Sequence, residues 1–232
     1  MSKRICPDAG IPKSISSLVR ESIQNSLDAC VDNRKPVEVQ FETLQLDKNF
    51  LPFVSEIEQH LIGCKKKADD DINEKREIQR HLNAIENGYY TTLLVKDFNT
   101  TGMTTKTLDM FTTGSGKSYK KSSTAGGSKG VGKASFYALS YLRSVAIITK
   151  NEQGQQLAEI SARISTHVNP NNPSEDLMHL GCYQIDPQRD FQRLPNHLRR
   201  EEMGSTIGVI GIWNIPNLKQ DIIREVVRNY WF

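Results

Sequence analysis

The stretch from residue 112 to residue 130, TTGSGKSYKKSSTAGGSKG, constrains this chain more than any other. Its only large apolar side chain is Tyr119, and Gly, Ser, Thr and Lys make up nearly all the rest. Such a segment has nothing to bury, so it cannot pass through a core and reads as a long mobile loop. The segments on both sides of it read as packed elements. The fold must therefore send this loop out and take the chain back into the same body, and long loops set in a structured domain are usually functional.

Upstream, Ile15, Leu18, Val19, Ile23, Leu27 and Val31 recur at three- and four-residue steps and predict a helix over 12–33, started by Ser14 or Pro12 and stopped by Asn33 and Pro36. Residues 37–46 alternate apolar and polar, as a half-buried strand does. Residues 53–86 are charged, with spaced Val54, Ile57, Leu61, Ile72, Ile78, Leu82 and Ile85, and predict one or two exposed helices jointed near Lys65–Asp71. A strand over 89–97 enters a polar turn. Downstream, 131–142 returns to helix, 144–150 and 156–165 flank a hairpin signal at Asn151–Gly154, and 167–176 is polar and Pro-containing, hence a loop. Strands follow at 178–185 and 205–213, then a helix at 219–231. This order predicts an α+β fold, a two-layer α/β sandwich with a mostly antiparallel sheet and helices on one face.

Composition excludes several classes. Of 232 residues, 37% are hydrophobic and 25% charged, which suits a globular chain with a real core. The 30 Lys and Arg against 27 Asp and Glu leave a net charge of +3, too mild to argue for nucleic acid by itself. No apolar run reaches the ~18 residues of a membrane span, so no membrane association is expected. The N-terminal residues lack the apolar core of a signal peptide. Cys6, Cys30, Cys64 and Cys182 are scattered and form no C-x-x-C pair, which argues against a zinc site or disulfide framework and for a reducing, cytoplasmic compartment.

Three constellations carry chemistry. Glu21, Asn25 and Asp28 lie three and four residues apart and share a helix face. A carboxylate and a carboxamide so placed can position a water and offer oxygen to Mg²⁺, although the spacing also suits the polar face of any amphipathic helix. Asp97 ends a strand and is followed by Asn99 and Gly102, residues that tolerate left-handed backbone; a carboxylate there can accept a hydrogen bond from an exocyclic amino group such as adenine's. Gly126, Gly127, Gly130 and Gly132 open a helix amid Lys117, Lys120, Lys121, Lys129 and Lys133, a setting for polyphosphate. Gly127-x4-Gly132-Lys133 also matches the start of a P-loop, but Ala134 stands where the metal-binding Ser or Thr belongs and no apolar strand precedes it.

Taken in this order, Glu21-x3-Asn25-x2-Asp28-Ala29, Asp97 to Gly102, and Gly127-x2-Gly130-x-Gly132 resemble the motifs of the GHKL ATPases, the group of the gyrase B subunit, the ninety-kilodalton heat-shock chaperone, histidine kinases, MutL and the MORC proteins. Gly204-Ser205-Thr206 entering an apolar strand is similar to that group's Gly-Thr segment. The resemblance spans about residues 12–215. It implies the Bergerat ATP-binding fold over residues 1–215 with a helical insertion at about 53–86, and a C-terminal helix over 216–232 that starts a following domain or linker.

The resemblance further implies ATP and Mg²⁺ as ligands. Glu21 would be the general base, Asn25 the Mg²⁺ ligand and Asp28 a support of the same network. Asp97 would read the adenine amino group, with Asn99, Gly102 and Met103 lining the adenine turn. Gly127, Lys129, Gly130, Val131, Gly132 and Lys133 would hold the phosphates, and residues 104–129 would form the lid. Ser205 or Thr206 would hold the water that joins Asp97 to the base. Asn99 stands where the group's Asp-x-Gly-x-Gly pattern has its first glycine, and Gly102 falls one residue late. The expected activity is slow Mg²⁺-dependent ATP hydrolysis that closes the lid and recruits a second protomer, with nucleic acid or another protein engaged through further domains. Histidine-kinase-like phosphotransfer and a non-hydrolysing nucleotide-gated module are the alternatives.

Overall fold

The computed structural model describes residues 11–48, 52–68, 71–85, 88–113, 131–186 and 194–231. Its centre is a six-stranded sheet formed by β1 (Glu38–Asp47), β2 (Tyr89–Phe98), β3 (Ser140–Lys150), β4 (Gln156–Arg163), β7 (Leu180–Ile185) and β8 (Gly204–Ile212). The spatial order is β1-β2-β8-β3-β4-β7, and every neighbouring pair is antiparallel. A separate two-stranded hairpin joins β5 (His167–Asn169) to β6 (Asn172–Leu177). The polar 167–176 stretch, expected as a loop, is thus mostly this hairpin.

Alternation along the central strands sends side chains to two cores. Leu93 and Val95 of β2, Val145 and Ile147 of β3, and Val209 of β8 pack on one face against α1 (Ile11–Asp28), α4 (Thr105–Thr112), α5 (Val131–Leu139) and α6 (Leu218–Tyr230). Tyr90 and Leu94, Ala146 and Ile148, and Ile210 face the other way, against Ile57 and Leu61 of α2 (Pro52–Lys67). On that side α3 (Ile72–Asn83) turns His81 Nδ1 to the Tyr141 carbonyl at 2.7 Å. The α+β class and antiparallel sheet agree with the sequence expectation. The helices are not confined to one face: the 53–86 segment forms two helices that cover part of the opposite face. Apolar side chains on both faces of the sheet require this, since either face left bare would expose a core.

Two helix ends differ from expectation. Helix α1 stops at Asp28 rather than near Asn33, because the chain there turns to pair with the end of β2. Cys30 bridges Thr100, the Val31 amide donates to Asn99 O at 3.1 Å, and the Thr101 amide donates to Ala29 O at 2.9 Å. Helix α5 stops at Leu139 rather than 142. The buried Ser140 hydroxyl donates to Ile210 O and accepts the Leu142 and Ser144 amides at 3.1 Å, stitching a bulge that already belongs to β3. Among the described residues Cys30, Cys64 and Cys182 are free thiols, and no helix is long and apolar enough to cross a membrane.

Candidate functional site

Asp97 is the last residue but one of β2 and lies on the same face as Leu93 and Val95, toward α1. Its Oδ1 accepts the Ser205 amide at 2.6 Å and the Thr100 hydroxyl at 2.7 Å, and the Ser26 hydroxyl, which donates to Ser22 O at 2.8 Å, lies 3.3 Å from its Oδ2. The Ser205 and Thr100 donors occupy Oδ1, so the acceptor capacity that the carboxylate has left lies on Oδ2. Ser26 reaches it because the buried face of α1 runs Ile15, Leu18, Val19, Ser22, Ser26, not along Ile23 and Leu27. Leu27 and Val31 of the expected apolar stripe are exposed. The inner face of α1 therefore turns from apolar to polar as it arrives at Asp97.

The turn after Asp97 uses left-handed backbone at Asn99 (φ 60°) and Gly102 (φ 64°). Asn99 does stand in a glycine-like conformation, but its side chain is committed elsewhere. Its Nδ2 donates to Asp32 O at 2.9 Å and Lys35 O at 3.0 Å, and its Oδ1 accepts the Asp32 amide at 3.2 Å. It clamps the 30–36 loop. Gly102 is required twice over: a Cβ there would sit 2.4 Å from Lys150 O, besides the positive φ. Met103 follows, half-buried, its amide donating to Thr149 Oγ1 at 2.8 Å.

The two hydroxyls of the Gly-Ser-Thr segment part company. Ser205 lies across from Thr149 on the α1 side of the sheet, their hydroxyls 3.1 Å apart. Thr206 points to the opposite core, fully buried, and its hydroxyl finds no hydrogen-bond partner among the described residues. Ser205 therefore belongs to the Asp97 cluster and Thr206 does not. Behind them Arg200, 4% exposed, donates to Asp97 O at 2.6 Å and Met203 O at 2.8 Å and lies over the Phe98 ring. Burial lowers the pKa of this guanidinium, while the Asp97 charge opposes that shift. Gly204 (φ 127°) makes the junction possible, since a Cβ would meet Arg200 Nη2 at 2.3 Å and Asp97 O at 2.4 Å.

On the outer side of α1, Asn25 Nδ2 donates to Glu21 Oε1 at 3.1 Å, and Asp28 accepts from Gln24 Nε2 at 2.9 Å. Glu21 is half-buried; Asn25 and Asp28 are exposed. Across from Glu21 lies Lys133 of α5. Burial lowers the pKa of its ammonium and the Glu21 carboxylate raises it. Lys133 Nζ donates to Met110 O at 2.9 Å, and Arg163 Nη2 donates to Thr112 O at 3.2 Å. Two cations thus hold the last carbonyls of α4, the end of a helix that favours positive charge. The expected lid therefore begins as a helix, capped by Thr104 and Thr107. Gly127, Lys129 and Gly130 lie outside the described residues; Val131 and Gly132 form the first turn of α5.

Ser26, Thr100, Thr149 and Arg200 belong to the cluster and escaped sequence reasoning. Only Ser26 had a readable signal, the alternative buried face of α1. A cavity of about 390 Å³ opens on the α4 side, lined by Leu157, Gln184 and Asp186 with Thr105, Leu108 and Asp109 of the expected lid segment, and by none of the expected catalytic or nucleotide-binding residues. No protein-family model matches this sequence, and no curated protein matches it.

Proposed function

We propose that this domain binds ATP with Mg²⁺ and hydrolyses it slowly, as the resemblance to the GHKL ATPases implies, with nucleotide binding closing the 104–129 lid and favouring pairing with a second protomer. The observation that carries the reading is the Asp97 cluster: a carboxylate anchored through Oδ1 by the Ser205 amide and the Thr100 hydroxyl, with Oδ2 left to accept, beneath the helix that bears Glu21 and Asn25. An adenine amino group is a donor of the kind that position accepts. Guanine has a carbonyl where adenine has that amino group, so ATP is favoured over GTP.

The donor chemistry fits magnesium. Asn25 uses an amide hydrogen on Glu21, and its carbonyl oxygen is of the hard kind that magnesium takes. No group of three His, Cys, Asp or Glu side chains gathers among the described residues, so the fit is to an ion held by one amide oxygen together with phosphate oxygens and water. The ion would neutralise phosphate charge. Glu21 takes the proton of the water that attacks the γ-phosphorus while the bond to the β–γ bridging oxygen breaks. Lys133, held near Glu21, keeps the local field positive for phosphate oxygens.

The deciding experiment is a thermal shift with ATP, ADP and GTP, each with and without Mg²⁺. A ligand that binds only the native state raises the melting temperature by mass action. A rise with adenine nucleotides and not with GTP is expected; no rise with any nucleotide would sink the proposal.

A further inference from the structure

Hydrogen-bond accounting at Thr149 yields an inference that rests on the nucleotide reading and deepens it. Thr149 is the last residue but one of β3, is fully buried, and faces the Asp97 cluster. Its hydroxyl makes three contacts: it accepts the Met103 amide at 2.8 Å, donates to the Gly204 carbonyl at 3.0 Å, and lies 3.1 Å from Ser205 Oγ. A hydroxyl has one proton and two lone pairs. With that proton on Gly204 O, the Ser205 contact can only run from Ser205 Oγ–H to Thr149 Oγ1. The Ser205 proton is then committed as well, and Ser205 Oγ has only lone pairs to offer a ligand.

We propose that Thr149 is the specificity-determining residue of the candidate base site. By fixing the direction of the Ser205 hydroxyl, it makes Ser205 and Asp97 a pair of pure acceptors, which selects a base edge carrying a donating amino group and rejects one carrying a carbonyl. Thr149 acts through Ser205 and is a positioning residue. A carbonyl brought against two acceptors leaves all three unpaired in a buried place, a strong basis for rejection.

The test uses the whole chain with Mg²⁺ and compares ATP with inosine triphosphate, which carries a carbonyl in place of the 6-amino group. Dissociation constants are measured for the wild type, Thr149→Ser and Thr149→Val, alongside hydrogen exchange of the Met103 amide. The wild type prefers ATP about a hundredfold or more. Thr149→Ser keeps that ratio and the Met103 protection, whereas Thr149→Val cuts the ratio about tenfold and exposes the Met103 amide. An unchanged ratio in Thr149→Val, or a loss in Thr149→Ser as large as in Thr149→Val, overturns the assignment while leaving ATP binding intact. A wild type that binds neither nucleotide overturns the nucleotide reading itself, and the proposal with it; the Met103 exchange then still reports whether the Thr149 bond forms.

Discussion

The Ser205 amide donates to Asp97 Oδ1 at 2.6 Å across 108 positions of sequence. This bond fastens the end of β2 to the start of β8 and sets which way the carboxylate points. Asp97→Asn can keep its amide oxygen on the Ser205 amide and the Thr100 hydroxyl, which puts a nitrogen in the place of Oδ2, where it cannot accept from adenine. ATP affinity is expected to fall at least about tenfold, with the ATP-induced thermal shift abolished. Calorimetric titration of the folded variant measures it, and unchanged affinity would remove Asp97 from the site.

Glu21→Ala separates chemistry from binding. Turnover should fall by about a hundredfold or more, the usual contribution of a general base, while the ATP dissociation constant stays within a few-fold. Single-turnover hydrolysis at high protein concentration reads the first quantity. If binding is lost along with turnover, Glu21 is holding α1 rather than moving a proton.

Ser205 and Thr206 make opposite predictions. Thr206→Val replaces a buried hydroxyl that has no partner among the described residues with a methyl of similar shape, so stability is unchanged or rises by up to about 1 kcal/mol and nucleotide affinity is unaffected. Ser205→Ala removes a hydroxyl of the cluster and weakens ATP binding about tenfold. Urea denaturation and titration of both variants check the pair; the reverse ranking would place the active hydroxyl on Thr206.

Gly204→Ala tests the junction itself. The new methyl has no room between Asp97 O and Arg200 Nη2, and φ at 127° strains any side chain. A loss of at least about 2 kcal/mol is expected in urea denaturation. A loss below about 0.5 kcal/mol would mean that the two strand ends are not held as described.

Acid should loosen the face covered by α2 and α3. Burial pulls the His81 pKa below its ordinary 6.5, and burial together with His167 does the same for His60. A folded pKa below the unfolded one means the unfolded chain binds the proton more readily. The stabilisation is complete above pH 6.5 and is lost as pH falls from there through the lowered folded values. Denaturation midpoints at about pH 7.5 and pH 5.5 should differ, and less so in His81→Gln, where one of the two titrating groups is gone. An equal drop in the variant would assign the acid sensitivity to other groups.

Much of the architecture was readable because periodicity is a local property. The strand over 89–97 is Tyr89–Phe98, and the helix over 219–231 is Leu218–Tyr230. Which side of the sheet a helix covers is not local. The apolar residues of 53–86 announced helices, but only the second core on the far face of β2, β3 and β8 shows why they are needed there.

The sequence by itself determined the kinds of element, their order, and the candidate residues Glu21, Asn25 and Asp97, since each depends on neighbours a few positions away. The tertiary structure alone decided that the Ser22 and Ser26 side of α1 faces Asp97, that Asn99 serves the 30–36 loop, and that Ser205 joins the cluster while Thr206 leaves it. The reason is physical. A one-residue step along a strand reverses the face a side chain points to, and a one-residue step around a helix turns it by about 100°. Only the packing of distant segments fixes those phases.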